Sequence, residues 1–220
     1  MIIVRMLETL KLFFRLLHVI FQTVCGYWRI SKIPQPIVSI FGSARTYQDN
    51  VYAKQAHELS QKLLAHNISV LTGGGPGIMQ AASCDITPTK GSSARILGIG
   101  VRGLEGPVDC IKDYFELNYF WARKWLLTQY SQAFVVFPGG FGTLDEVAEI
   151  LTLMQTKHMP VVPVVFIGVD YWQEFLDWLK NESLHHKMID PDNLQLFVIT
   201  DDLNEAFCLI MGQCISSRNP

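Results

Sequence analysis

The sequence predicts an α/β fold, a doubly wound Rossmann-like parallel sheet with helices on both faces, and three observations carry that expectation. From Pro34 onward, short runs that are apolar throughout alternate with amphipathic helical segments. Strands that lack polar alternation are those buried on both faces, as in a parallel sheet covered by helices. Two of the runs, residues 68–72 and 133–137, stop at glycine-rich turns that open helices, an arrangement that leaves backbone N–H groups pointing above the carboxyl end of a strand. Finally, 220 residues that are 49% hydrophobic and 17% charged can bury a sizeable core in one domain.

Residues 1–33 stand apart from that domain, residues 34–220, as an apolar helical extension. Arg5, Glu8, Lys11, Arg15, His18 and Gln22 recur at spacings of three or four, which makes one narrow polar stripe on a helix. The longest stretch between charges, residues 16–28, is shorter than the ~20 apolar residues that span a bilayer. Cys25-Gly26-Tyr27-Trp28 fits a signal-peptidase site poorly, so no cleaved signal peptide is expected. The segment either packs on the domain or a second subunit, which is the expected outcome, or lies on a membrane surface.

The strands then follow at Ile37–Phe41, residues 68–72, Ile96–Val101, and residues 133–137, 161–167 and 196–200. Helices are expected at residues 52–67, 77–84, 120–130, 143–156 and 171–181, with a last one from about Asp202. Residues 84–93, polar and holding Pro88 and Gly91, interrupt the rhythm. So do residues 102–113, expected as a loop that closes over the site. In the helix at 120–130, Phe120, Trp121, Trp125 and Leu126 are more apolar surface than one buried face accounts for, which points to a covered surface between subunits.

The turn Pro138-Gly139-Gly140-Phe141-Gly142-Thr143 is the most informative segment. Its glycines let the backbone turn without Cβ clashes, and Thr143 is expected to cap the helix that carries Val147, Ile150, Leu151 and Met154 on one face. The free N–H groups of a first helical turn, with the helix macrodipole, favour an anion such as a phosphate. A second turn of this kind, Gly73-Gly74-Gly75-Pro76-Gly77, follows residues 68–72. Two such turns in one sheet would flank a single cleft, although tight connections that serve geometry alone would look the same. Thr143 and Glu146 also form a T-x-x-E capping box, which by itself accounts for Glu146. The same carboxylate lies within a turn of the phosphate cradle, where the helix end is expected to keep it ionised, and it could stabilise a positively charged sugar transition state or activate water.

The formal net charge of −2, with no basic tract, points to a small nucleotide and away from nucleic acid. Five cysteines (Cys25, Cys84, Cys110, Cys208 and Cys214) show no CxxC pair and no disulfide framework, so a reducing cytoplasm is expected. The six histidines, His185 and His186 among them, form no metal-ligand spacing, and no structural or catalytic zinc is expected.

PGGFGTLDE at residues 138–146 matches the PGGxGTxxE signature of the LONELY GUY family, phosphoribohydrolases long labelled lysine decarboxylases. FGSAR at 41–45, TGGGPGIM at 72–79, Arg123-Lys124, and residues 151–172 extend the resemblance over about residues 37–179. The resemblance implies hydrolysis of the N-glycosidic bond of a purine nucleoside 5′-monophosphate, such as AMP or a cytokinin precursor, by a homodimer without cofactor. It implies Arg123 and Glu146 as the catalytic pair. For the nucleotide and its phosphate it implies Ser43, Gly73, Gly74, Gly75, Gly77, Met79, Lys124, Gly139, Gly140, Gly142 and Thr143. The sequence departs from the plant pattern M-H-x-R-K, having Trp121 in place of the histidine, and has Gln80 where glutamate is common. The alternative is a nucleotide or molybdenum-cofactor carrier of the same fold that binds without hydrolysis.

Overall fold

The computed structural model describes residues 2–86, 91–104 and 108–218. Its elements are α1 (Ile2–Ile30), β1 (Ile37–Phe41), α2 (Val51–Ala65), β2 (Ser69–Thr72), α3 (Ile78–Ala81), β3 (Ile96–Val101), β4 (Tyr114–Leu117), α4 (Phe120–Gln129), β5 (Ala133–Val136), α5 (Phe141–Gln155), β6 (Val164–Ile167), α6 (Val169–Trp178), β7 (Val198–Thr200) and α7 (Leu203–Arg218).

The seven strands form one sheet in the order β4-β3-β2-β1-β5-β6-β7, and every neighbouring pair is parallel. Successive strands step outward from β1 to β4, and the chain then resumes at β5 on the other side of β1. The crevice above β1 and β5 is therefore the switch point where open α/β sheets bind ligands. Register places Phe41 beside Val136 and Ile40 beside Thr72, so the turns after β1, β2 and β5 start at one level.

The strands are apolar throughout because each alternating set of side chains meets a helix layer. Phe41, Leu71, Phe134, Val136 and Phe166 pack with Leu126 of α4, Val147 of α5 and Trp172 of α6. On the opposite face, Val38, Val70, Val135 and Val165 pack with Leu63 of α2, Ile78 of α3 and Ile210 of α7. This confirms the doubly wound α/β fold.

Four expectations need correction. First, α3 covers only Ile78–Ala81, so the helix read over 77–84 is one turn long. Second, the loop expected over 102–113 is followed by β4, which the sequence reading lacks. Tyr114, Phe115 and Glu116 are only partly buried because β4 is an edge strand, so it shows none of the uniform apolarity of the central strands. Parts of the two irregular segments, residues 87–90 with Pro88 and residues 105–107, lie outside the described residues.

Third, Cys84 and Cys110 form a disulfide, with Cα atoms 5.4 Å apart. Their separation in sequence gave no pairing signal; the fold brings the segment after α3 against the segment before β4. Cys25 and Cys208 are free and exposed, and Cys214 is buried.

Fourth, residues 5–18 of α1 are exposed on every face of the single chain, so of the packing expected on the domain or a second subunit this part of the helix makes none on its own domain. Burial is confined to Val19, Gly26 and Ile30, where α1 meets α4 and β4. A window from Arg5 to Ile30 is also long and apolar enough to cross a membrane, which a count of residues between charges did not register.

Candidate active site

The turns after β1, β2 and β5 are sewn together by their backbones. Ser43 N–H donates to the Pro138 carbonyl (3.0 Å), and the Ser43 carbonyl accepts from Ile78 N–H (3.0 Å). Gly77 sits at φ +70°, and a Cβ there would strike the Ser43 carbonyl oxygen. The two glycine turns predicted to share a cleft are thus brought together across Ser43, because β2 and β5 both border β1.

α5 begins at Phe141, with Gly140 as its extended N-cap residue and no side-chain cap. Thr143 is therefore the third helical residue and buried, and the expected capping box does not form. Thr143 instead packs under Gly139, where a Cβ would collide with its side chain. Leu144 N–H is the first to bond back, to the Gly140 carbonyl at 3.0 Å. The preceding N–H groups thus have no intrahelical acceptor.

Gly140 and Gly142 depart from the steric argument made for them. Neither has a positive φ, and a Cβ at either would meet nothing within 4 Å. Only Gly139 is needed by the turn; the other two leave backbone bare toward open space. Tyr171 on α6, which no sequence argument singled out, donates its hydroxyl to the Gly139 carbonyl at 2.7 Å. Its signal was its place within residues 151–172.

Arg123 of α4 reaches over the β2 turn. Its Nε donates to the Ile99 carbonyl (2.9 Å). Its Nη2 lies 3.4 Å from Glu146 Oε1, with the two side chains 12% and 10% exposed. The same Nη2 occupies the space beside Gly73 where a Cβ would project, and Met79 Sδ comes within 2.6 Å of that position. Arg123 therefore joins the turn after β2 to the helix that follows the β5 turn, and the solvated surface charge a lone helical arginine would suggest does not occur.

Burial pushes the Glu146 carboxyl up to about 7, with Arg123 pulling it down and Asp145 adding a smaller upward push. The helix end does not keep it fully ionised, as the sequence had suggested, because Glu146 lies in the second turn of α5 and the terminal field fades within the first.

Lys124 pairs with Asp145 (3.0 Å) and Glu149 (2.8 Å), which ties α4 to α5. Burial would lower it, but hydrogen bonding to Glu149 and Asp145 wins and raises it. Tyr114 was missed with its strand. Its ring lies against Gly74, Gly98 and Gly100, and its hydroxyl donates to Glu116 at 3.2 Å. Burial, then Glu116, raises the phenol to about 12, so it remains a donor. Phe120, Trp121, Trp125 and Phe141 are exposed, whereas Leu126 is buried.

A separate cavity of about 530 Å³ is lined by Ser83, Asp85, Arg95, Cys110, Lys112 and Asp113 among others, and contains neither Arg123 nor Glu146. Among the described residues, no group of three or more His, Cys, Asp or Glu is placed to hold a metal ion.

The paired glycine turns and the buried arginine–glutamate pair thus lie together at the switch point of a Rossmann-like sheet. Residues 77–210 match the family model described as "Possible lysine decarboxylase". The chain belongs to that family, the LONELY GUY group its motifs resemble. A rice (Oryza sativa subsp. japonica) protein named a probable cytokinin riboside 5′-monophosphate phosphoribohydrolase is 28% identical over 162 residues, 73% of this chain and 69% of its own. An Arabidopsis thaliana cytokinin riboside 5′-monophosphate phosphoribohydrolase is 26% identical over 178 residues, 76% of this chain and 74% of its own. In fold, the chain is similar to the molybdenum cofactor carrier protein of Chlamydomonas reinhardtii (TM-score 0.57, 22% identity, 81% of this chain and 98% of that one). It is equally similar to the molybdenum cofactor binding protein of Rippkaea orientalis (TM-score 0.57, 21% identity, 81% and 96%).

Proposed function

We propose that the protein hydrolyses the N-glycosidic bond of a purine nucleoside 5′-monophosphate, AMP or a cytokinin-type nucleotide, to free base and ribose 5-phosphate. The observation that carries this reading is the buried Arg123–Glu146 pair beside the uncapped start of α5. The names of the plant relatives support it.

In this reading the 5′-phosphate sits on the bare backbone of Gly139, Gly140, Gly142 and Thr143, facing the positive end of α5. Ser43, Gly73–Gly75, Gly77 and Met79 wall the nucleotide from the β1 and β2 side. As the bond between C1′ and the base nitrogen breaks, its electron pair leaves with the base and positive charge builds on the ribose. The Glu146 carboxylate stabilises that charge, and its burial strengthens the attraction relative to water. Arg123 stabilises the negative charge developing on the leaving side. Water adds hydroxyl to C1′ and its proton goes to the base, so the step needs no oxidant, metal or second substrate. Lys124, held by Asp145 and Glu149, acts by fixing α4 against α5.

The test is chromatographic product analysis over the common monophosphates and the matching nucleosides. Base release from a purine monophosphate and none from its nucleoside is the expected result. Binding without release of base from any of them would favour the carrier reading instead.

A further inference from the structure

α1 shows far more apolar surface to the outside than a helix that only packs on its own domain. The side that meets the domain is short and mixed: Val19, Gly26 and Ile30 are buried, Gln22 and Thr23 are half-buried, and the charged stripe from Arg5 to Arg15 stays exposed. His18 Nε2 pairs with Asn118 Nδ2 (2.9 Å), Gln22 Oε1 accepts from Asn118 N–H (3.1 Å), and Arg29 donates to the Tyr114 carbonyl (2.8 Å). The apolar remainder is turned outward: Phe13, Phe14, Leu17, Phe21, Val24 and Trp28 are all exposed. A packed surface helix does the opposite and buries its apolar stripe.

We propose that α1 lies in the surface of an anionic lipid bilayer, its apolar side in the headgroup boundary, and holds the nucleotide domain at the membrane. Charge complementarity selects this occupant. Arg5, Lys11 and Arg15 against the single Glu8 give the first half of α1 a net positive charge, and Arg29 and Lys32 add cations at the other end. Tyr27 and Trp28 stand beside those end cations, with Lys32 Nζ 3.0 Å from the Trp28 ring centroid. Aromatic rings next to lysine and arginine suit the headgroup level, where the ring is buried and the cation stays wet. A second copy of the chain would cover a narrow seam, whereas here the apolar surface takes up most of the circumference. The helix lies flat and does not cross, because the bonds to Asn118 and Tyr114 hold its second half along β4 and α4. This inference is independent of the catalytic reading.

The test is flotation of full-length protein through a density gradient with phosphatidylcholine vesicles, with or without phosphatidylglycerol; aggregates sink and are not scored. The wild type should float with the phosphatidylglycerol vesicles. Lys11→Gln with Arg15→Gln should weaken partitioning by about 25-fold, at roughly fivefold for each lost cation. Phe14→Glu with Phe21→Glu should abolish flotation while leaving the thermal midpoint and base release unchanged, since both side chains are solvent-exposed in the fold. Failure of the wild type to float, or flotation of the Phe14/Phe21 double variant, would overturn the proposal. So would a wild-type dimer that ignores vesicles and falls to monomer in that variant, or resistance of the bound protein to alkaline carbonate, which would mean a span.

Discussion

Arg123 Nη2 and Glu146 Oε1 lie 3.4 Å apart in a nearly solvent-free position, one on each of two helices that flank the glycine turns. With the Glu146 carboxyl at about 7, its ionised fraction changes steeply through neutrality. If the carboxylate is the working form, kcat/KM for AMP should rise from pH 6 to pH 8 and level off, with an apparent pKa of about 7. A rate profile flat over that range would remove Glu146 from the chemistry.

Glu146→Gln and Arg123→Ala should each lower turnover at least ~100-fold, the usual size of a lost charge-stabilising group. The glutamate variant should also change the dependence of stability on pH. The folded carboxyl titrates above its ordinary value of 4.5, so the folded state holds the proton more tightly. Its contribution is complete below 4.5 and is lost as pH rises through about 7. That loss is on the order of 3 kcal/mol, at about 1.4 kcal/mol for each pH unit. Thermal midpoints measured from pH 5 to pH 8 should therefore fall more steeply for wild type than for Glu146→Gln; parallel curves would show that the burial does not control the carboxyl.

The glycines of the β5 turn should separate by experiment. Gly139→Ala drives a methyl into Thr143 and should cost about 1–3 kcal/mol in denaturant unfolding. Gly140→Ala and Gly142→Ala have open space and should leave stability within about 1 kcal/mol of wild type. They should raise KM for the monophosphate all the same, because the added methyls stand where the phosphate approaches. Unchanged KM in both would place the phosphate elsewhere.

Much of this architecture was legible because the central strands are buried on both faces and so announce themselves as uninterrupted apolar runs; β1 and β3 match at both ends. β4 was not legible, since an edge strand reading Tyr-Phe-Glu-Leu has no such signature. The Gly139–Thr143 turn was legible as a strand-to-helix turn, but its helix start was placed two residues late. Thr143 looked like a cap when it is a buried third helical residue under Gly139. The proximity of Arg123 to Glu146 came from family likeness alone, because a contact between residues on α4 and α5 leaves no periodic trace. The Cys84–Cys110 pairing and the anchoring of the Gly139 carbonyl by Tyr171 are likewise products of tertiary folding.

Phe120, Trp121 and Trp125 remain exposed along α4 in the single chain, and a homodimer that covers them is the expected assembly. Light scattering in detergent at micromolar concentration should give twice the mass of one chain, and Trp121→Glu with Trp125→Glu should halve it. A monomer from the wild type would contradict this.

The most direct test of the central claim is a time course of purified full-length protein with AMP or a cytokinin-type monophosphate, in which free base and ribose 5-phosphate are quantified separately. Equal amounts of both, growing together and suppressed at least ~100-fold in Glu146→Gln, are the predicted result. AMP and a cytokinin-type monophosphate both recovered intact from a protein that demonstrably binds them would contradict the account.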